Sequence, residues 1–416
     1  MYCLQSVGAG CAMKILAVLL SPPVPATAGH RVRNRSLLRS LALEGHEVTV
    51  LAFASPEEIA APSREFRGLC HEYHLLPAPE GSTLRRLAAV LSPKPYGAVR
   101  LTAPAMQLMV SEHLSRTDFD VILCDDCYMA GNIPAGNRVP VVLNKHDITC
   151  RIVRQFGTRE RNPLKKLYAA LEATKIQRLE AAACDLAEAV AVCSSCDGDV
   201  LREISPNVRQ FVVPNVVDVE KYAPGVCNDG RTVLFVGAMD WLPNQDGADF
   251  LIFDILPRLR QLVPSVRVVL AGRNPSAALI CRYQEFPDVR FTGTVAELRP
   301  VIARAAVCVV PLRIGSGTRL KILEAAAMAK PIVSTTLGAE GLDLRHGHEI
   351  LLEDKPRDFA EAIALLLTDP ARAAAMGHAA RLAVEEQYSI PALRQQLRKL
   401  LAAVHANSAP AGSSNA

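Results

Sequence analysis

Pro311-Leu312-Arg313-Ile314-Gly315-Ser316-Gly317-Thr318-Arg319-Leu320-Lys321-Ile322-Leu323-Glu324-Ala325 follows an apolar run, Val307 to Val310, and leads into a helical pattern over Thr318 to Ala329. Strand, glycine turn and helix in that order make one unit of a doubly wound α/β sheet. Such a turn leaves backbone N–H groups pointing outward, and the helix start adds partial positive charge, so the place suits phosphate. The pattern puts Arg319 and Lys321 in the first helical turn, the wrong end for cations unless an anion joins them. A diphosphate would supply it. A local rule broken without visible compensation marks a functional site. The plainer alternative is that both cations face solvent or pair with acids. Glu324, three residues after Lys321, is either its ion-pair partner or an acceptor for ribose hydroxyls.

The same alternation extends in both directions. Downstream of a turn-rich stretch (Ala223-Pro224-Gly225, then Asn228-Asp229-Gly230), the pattern predicts strands over Thr232–Val236, Val266–Ala271, Val289–Phe291, Val307–Val310 and Pro331–Thr335. Helices are expected over Asp246–Gln261, Ala296–Arg304, Thr318–Ala329 and Pro356–Leu367. Upstream, strands are expected over Ile15–Leu20, Glu47–Phe53, Val121–Leu123, Val139–Asn144, Ala187–Val192 and Gln210–Val213, with helices over Arg35–Glu44 and Asp197–Ile204, the latter capped near Ser194 or Ser195. Buried Val, Ile and Leu runs between helices imply parallel sheets covered on both faces. The reading is therefore an extension over 1–12, a Rossmann-like domain over 13–222, a second over 223–385, a helix over 386–405 returning to the first domain, and a disordered tail over 406–416.

Composition agrees with two globular domains: 416 residues, 50% apolar, 21% charged, 5% aromatic and a net charge of +4. That charge is too small for a nucleic-acid-binding face, so no nucleic acid partner is expected. No apolar run is long enough to span a bilayer. Met13-Lys14 with Ile15–Leu20 and Ala26-Thr27-Ala28 mimics a signal peptide, but the run is short and also reads as a first strand. Twelve cysteines include Cys124/Cys127 and Cys193/Cys196 at C-x-x-C spacing. Without accompanying histidines they read as small core residues at strand ends rather than zinc ligands, and the scatter suits a reducing cytoplasm. No metal and no cofactor is expected.

Several motifs together carry a resemblance. Gly237-Ala238-Met239-Asp240-Trp241-Leu242-Pro243-Asn244, the run Gly315 to Ala325, Val213-Pro214-Asn215-Val216-Val217-Asp218, Ala271-Gly272-Arg273-Asn274-Pro275 and Gly338-Ala339-Glu340-Gly341-Leu342 are all present. From about Met13 to Tyr388 the chain resembles the retaining glycosyltransferases of family 4, and within them bacterial sugar transferases found with exopolysaccharide and exosortase systems. The resemblance implies the GT-B architecture, two Rossmann-like domains facing across a cleft. It implies transfer from a nucleotide-sugar to a glycan, lipid-linked or small-molecule acceptor, with Gly237, Arg273, Gly315, Ser316, Gly317, Thr318 and Glu324 binding donor. Ser316 stands where most of the family has the first of two glutamates. The family's Arg and Lys after the first strand of the second domain are also missing, and Met239, Asp240 and Asn244 occupy that turn. Arg319 and Lys321 would then neutralise the diphosphate from the opposite wall.

In the first domain Ala26 to Gly29 resembles the family's glycine loop, where close approach of backbone to substrate explains Gly29. His30 and Arg31 follow it, facing acceptor or phosphate, or simply forming a loop edge. His146 matches the family's active-site histidine at the carboxyl end of a strand. The departing phosphate would take the acceptor proton, with His146 positioning sugar or acceptor. The rival readings are a nucleotide-sugar epimerase and a non-catalytic nucleotide-sugar-binding subunit. Arg151, Arg154, Arg159, Arg161, Lys165 and Lys166, interleaved with Ile152, Val153, Phe156 and Leu164, form either a solvated helix pair or a surface leaning on anionic lipid. The expected location is the cytoplasm, peripherally at the inner face of the cell membrane.

Overall fold

A computed structural model describes residues 12–81, 89–225 and 228–408. The extension and most of the tail expected at the two ends lie outside the described residues. Short Val-, Ile-, Leu- and Ala-rich runs form two fully parallel sheets. The first contains β1 (Lys14–Leu19), β2 (Glu47–Ala54), β3 (Glu72–Pro77), β4 (Val121–Asp125), β5 (Val141–Asn144), β6 (Ala189–Val192) and β7 (Gln210–Val212), in the order β3-β2-β1-β4-β5-β6-β7. The second contains β8 (Thr232–Val236), β9 (Arg267–Ala271), β10 (Val289–Gly293), β11 (Val307–Val310), β12 (Ile332–Ser334) and β13 (Leu351–Leu352), in the order β10-β9-β8-β11-β12-β13. Apart from the extra β7, the two orders are the same doubly wound winding. In such sheets ligands bind beyond the carboxyl ends of the strands where the winding reverses. Here those points are β1/β4 and β8/β11.

Helices bury both faces of each sheet, because β1, β4, β5, β6 and β11 offer almost no exposed side chain. The first helix, Gly29–Leu43, starts well before the expected Arg35 and lays Leu37, Leu38 and Leu41 on the sheet. The helix expected over Asp246–Gln261 runs from Leu242 to Leu262 but holds a π segment, Phe250–Ile255, just before Pro257. Proline has no N–H to continue the i→i−4 ladder, so the register loosens there. Two strands escape the sequence pattern. β3 is half-buried at the sheet edge, and β13 is only two residues long.

The last helix, Ile390–Ser408, leaves the second sheet and packs back on the first helix. Its Leu393, Leu397, Leu400, Leu401 and Val404 join the core around Ile15, Leu37 and Val121. That placement follows from its apolar spacing, which makes one buried stripe.

Candidate active site

At the carboxyl ends of β1, β4 and β5 the first domain collects polar side chains that the apolar strands push out of the core. Asp125 ends β4 and is fully buried. Its carboxylate accepts from the Leu20 N–H at 3.0 Å, Asn34 Nδ2 at 2.9 Å and His146 Nε2 at 2.6 Å. Burial raises its pKa, but the His146 charge and these donors overcome it and hold the carboxyl below its ordinary range. An ionised carboxylate only accepts, so the His146 proton sits on Nε2. Nδ1, on the other side of the ring, is buried without a partner.

His30 lies 6.0 Å from His146, ring to ring, and its Nε2 is 3.0 Å from Ser21 Oγ. Burial lowers its pKa to about 4, so it is neutral near pH 7. Gly29 is the first residue of a helix, and the nearest protein atom to a Cβ there would be Leu320 Cδ1 at 4.0 Å. One expectation for this segment needs correction. Arg31 turns away to pair with Glu58 at 2.5 Å.

The second domain brings the Gly315–Thr318 turn directly against this cluster. Gly317 has φ +74°, which favours glycine, and a Cβ there would meet the His146 carbonyl oxygen at 2.5 Å. The turn's amides are already committed. The Gly315 N–H donates to Gln155 Oε1 at 2.7 Å and the Gly317 N–H to Asp197 Oδ1 at 3.0 Å. This corrects the expectation that the Gly317 amide points at a phosphate: a first-domain carboxylate fills that role. Ser316, in the place of the family's first glutamate, accepts from the Ile148 N–H at 3.0 Å and donates to Asp197 at 2.8 Å. Asn215 Nδ2 donates to Thr318 Oγ1 at 2.9 Å.

Arg319 requires a second correction. It is the N-cap of the helix Leu320–Ala327 rather than part of its first turn. Its guanidinium folds under the turn and donates through Nη1 to the Ser316 and Gly317 carbonyls. Nη2 is left buried without a partner. Lys321 does lie in the first turn, which carries no acid. Its Nζ donates to Asn244 Oδ1 at 2.8 Å and sits 4.6 Å from the Phe235 ring centre. Burial, then the Arg319 charge, lowers its pKa to about 7. Glu324 accepts from Tyr222 Oη at 3.0 Å rather than from Lys321, and burial raises its pKa to about 7.

Gly237 follows β8, where a Cβ would strike the Asn244 amide at 2.6 Å, so the backbone here must stay bare. Arg273, after β9, reaches toward the first domain, its charge acting on His30. Its buried Nε makes no hydrogen bond, and Asp240 stays 4.0 Å away.

Of the two cysteine pairs, Cys124, Cys127 and Cys193 are buried and Cys196 is half-buried. Cys124 Sγ donates to the Asp126 carbonyl, and Cys193 Sγ to the Lys145 and His146 carbonyls. Burial raises the pKa of both thiols. Behind them Lys145 is buried between Asp126 and Glu180, 3.2 Å from each. Sequence reasoning misses Asp125, Asp197, Gln155 and Tyr222. Each is a single polar residue, and only its place at a strand end, helix start or linker gives it a partner.

Two switch points, a glycine turn and opposed polar clusters give the chain the GT-B architecture, and both of its domains match glycosyltransferase families. Residues 28–221 match the model "Glycosyltransferase Family 4" and residues 230–369 the model "Glycosyl transferases group 1". Among curated proteins the chain is similar to D-inositol 3-phosphate glycosyltransferase of Kineococcus radiotolerans, 32% identical over 41% of this chain and 46% of that protein. It is also similar to the gpi3 component of phosphatidylinositol N-acetylglucosaminyltransferase of Schizosaccharomyces pombe, 26% identical over 44% of this chain and 42% of that protein. These matches span less than half the length of the curated relatives. Sucrose-phosphate synthase from Thermosynechococcus elongatus shares the fold at TM-score 0.74 and 19% identity, over 95% of this chain and all of the other. HepE of Anabaena, solved with UDP and glucose, shares it at 0.64 and 16%, over 94% and 99%.

Proposed function

We propose that the chain moves a sugar, with retention of configuration, from a nucleotide-sugar to a glycan or lipid-linked acceptor in bacterial polysaccharide assembly. One observation carries the reading: His146 Nδ1, Arg273 Nε and Arg319 Nη2, on residues beyond the carboxyl ends of β5, β9 and β11, are all buried without hydrogen-bond partners. Unsatisfied buried polar atoms are costly, and an anionic, hydroxyl-rich ligand would satisfy all three.

In this reading Lys321, Arg319 and Arg273 stabilise charge on the leaving diphosphate, assisted by the start of the helix Leu320–Ala327. Glu324 accepts from the ribose hydroxyls, displacing Tyr222. His146, held by Asp125, accepts a sugar hydroxyl through Nδ1, and the departing phosphate takes the acceptor's proton. The cations supply the charge stabilisation that a divalent ion would otherwise provide. The two named relatives carry inositol-containing acceptors in their names, one of them a phospholipid, which supports an acceptor at a membrane.

Arg319→Ala and Lys321→Ala should each lower transfer at least ~100-fold, the scale of removing one oxyanion-type contact. The measurement is product formation after a thermal-shift screen of nucleoside diphosphates has identified the donor base. Near-wild-type turnover in both variants would remove this site. Incubating donor alone separates transfer from epimerisation, since an epimerase makes a new nucleotide sugar without acceptor.

A further inference from the structure

Away from the interdomain gap, the open edge of the first sheet carries a cluster that sugar transfer does not use. Glu72 and His74 lie two residues apart on β3, so both side chains leave the same face of the edge strand. His113, in the last turn of the helix Pro104–Arg116, comes over that face, its ring 4.7 Å from the His74 ring. One ligand atom from each of the three residues falls within 4.8 Å of the others. We propose that Glu72, His74 and His113 form a binding site for a divalent transition metal of the zinc class.

Three points of chemistry favour this over a chance surface cluster. His113 Nδ1 lies 2.8 Å from the Met109 carbonyl oxygen. A carbonyl can only accept, so the ring proton is on Nδ1 and Nε2 presents its lone pair outward. Fixing a ligand histidine's tautomer through its other nitrogen is the usual outer-shell device of metal sites. Two imidazoles with one carboxylate also form a donor set suited to zinc, cobalt, nickel or copper rather than magnesium or calcium. Finally, His74 Nε2 is 2.8 Å from Glu72 Oε1, so both groups already face one small space. Tetrahedral bonds of about 2.0–2.2 Å require ligand atoms roughly 3.3 Å apart, which side-chain rotation can reach. His71, whose charge also acts on Glu72, adds a neighbouring imidazole. A bound ion would tie the edge strand, unpaired on its outer side among the described residues, to a neighbouring helix, which helps protect an edge from pairing with other chains.

The test uses the whole chain, stripped with chelator and titrated with zinc by calorimetry and with cobalt by visible absorption. Wild type should take one equivalent, with the d–d bands of a nitrogen/oxygen site and a raised Tm. His74→Ala combined with His113→Ala should lose at least ~100-fold in affinity, and Glu72→Gln about 10-fold, with far-UV spectra unchanged. Equal uptake by the double variant overturns the site, as does no uptake by wild type. A cobalt–thiolate charge-transfer band does the same, since it would put the ion on a cysteine such as the exposed Cys281.

Discussion

Lys321 and Glu324 are three residues apart on one helix, yet each is bonded elsewhere, to Asn244 and Tyr222. Burial drives their pKa values toward each other, to about 7. The consequences for stability have opposite signs. Glu324 binds its proton more tightly when folded, so its contribution is present below the unfolded value of 4.5 and fades as pH rises to 7. Lys321 releases its proton on folding, so its contribution is present above 10.5 and is lost as pH falls to 7. Lys321→Met should therefore flatten the rise of Tm with pH between 7 and 10 in ligand-free protein. A wild-type slope kept in the variant would contradict the buried ammonium. Asp125 allows a second residue-scale prediction. Asp125→Asn keeps the volume but puts an amide hydrogen against donors, so His146 loses its fixed tautomer. kcat should fall at least ~10-fold, a modest share of what general acid–base or positioning groups supply. Rates and nucleotide affinity that both stay at wild-type level would free His146 of its assigned partner.

At the scale of elements, most of the architecture was legible because hydrophobic burial writes itself into the chain. Thr232–Val236 and Val307–Val310 have the predicted bounds, since fully buried parallel strands must be continuous Val and Leu runs between polar turns. β3 was not legible, because an edge strand reading Glu-Tyr-His-Leu-Leu-Pro needs only partial burial. The helix start at Gly29 was hidden as well: its opening turns are polar, and Arg33 and Asn34 are buried through hydrogen bonds to Asn144 and Asp125 rather than by apolar packing. Candidate site residues were legible where charge conflicted with helix polarity, as at Lys321. They were not where a lone carboxylate such as Asp197 acts across domains. The basic stretch resolves into two faces. Arg151 pairs with Glu340 of the second domain at 2.8 Å, so it is not available to lipid. The helix Pro163–Leu186 instead exposes Leu164, Leu167 and Leu171, at 76%, 59% and 54%, beside exposed Lys165 and Lys166. An apolar stripe flanked by cations on a surface helix fits an anionic bilayer. Replacing the three leucines by serine should abolish flotation with anionic vesicles and leave Tm unchanged. Flotation that survives the change would assign membrane contact to another surface.

For the whole molecule, the two domains meet through a handful of polar ties, and Asp197 makes two of them. It accepts from Ser316 and Gly317 of the second domain while Ser194 bonds it from its own. Asp197→Ala should thus shift the domains toward an open arrangement, seen as a larger radius of gyration in solution scattering with secondary structure intact. An unchanged profile would mean that Asn215, Gln155 and the Arg151–Glu340 pair suffice for closure.

The backbone passes between the domains twice, and the passages lie side by side: the Val217 N–H donates to the Tyr388 carbonyl at 2.9 Å. Such a doubled spine permits the halves to part like the covers of a book and resists their sliding past one another. Each cycle of opening would then bring the same walls back face to face. A single cut in the first passage would not free the halves, because the second still binds them.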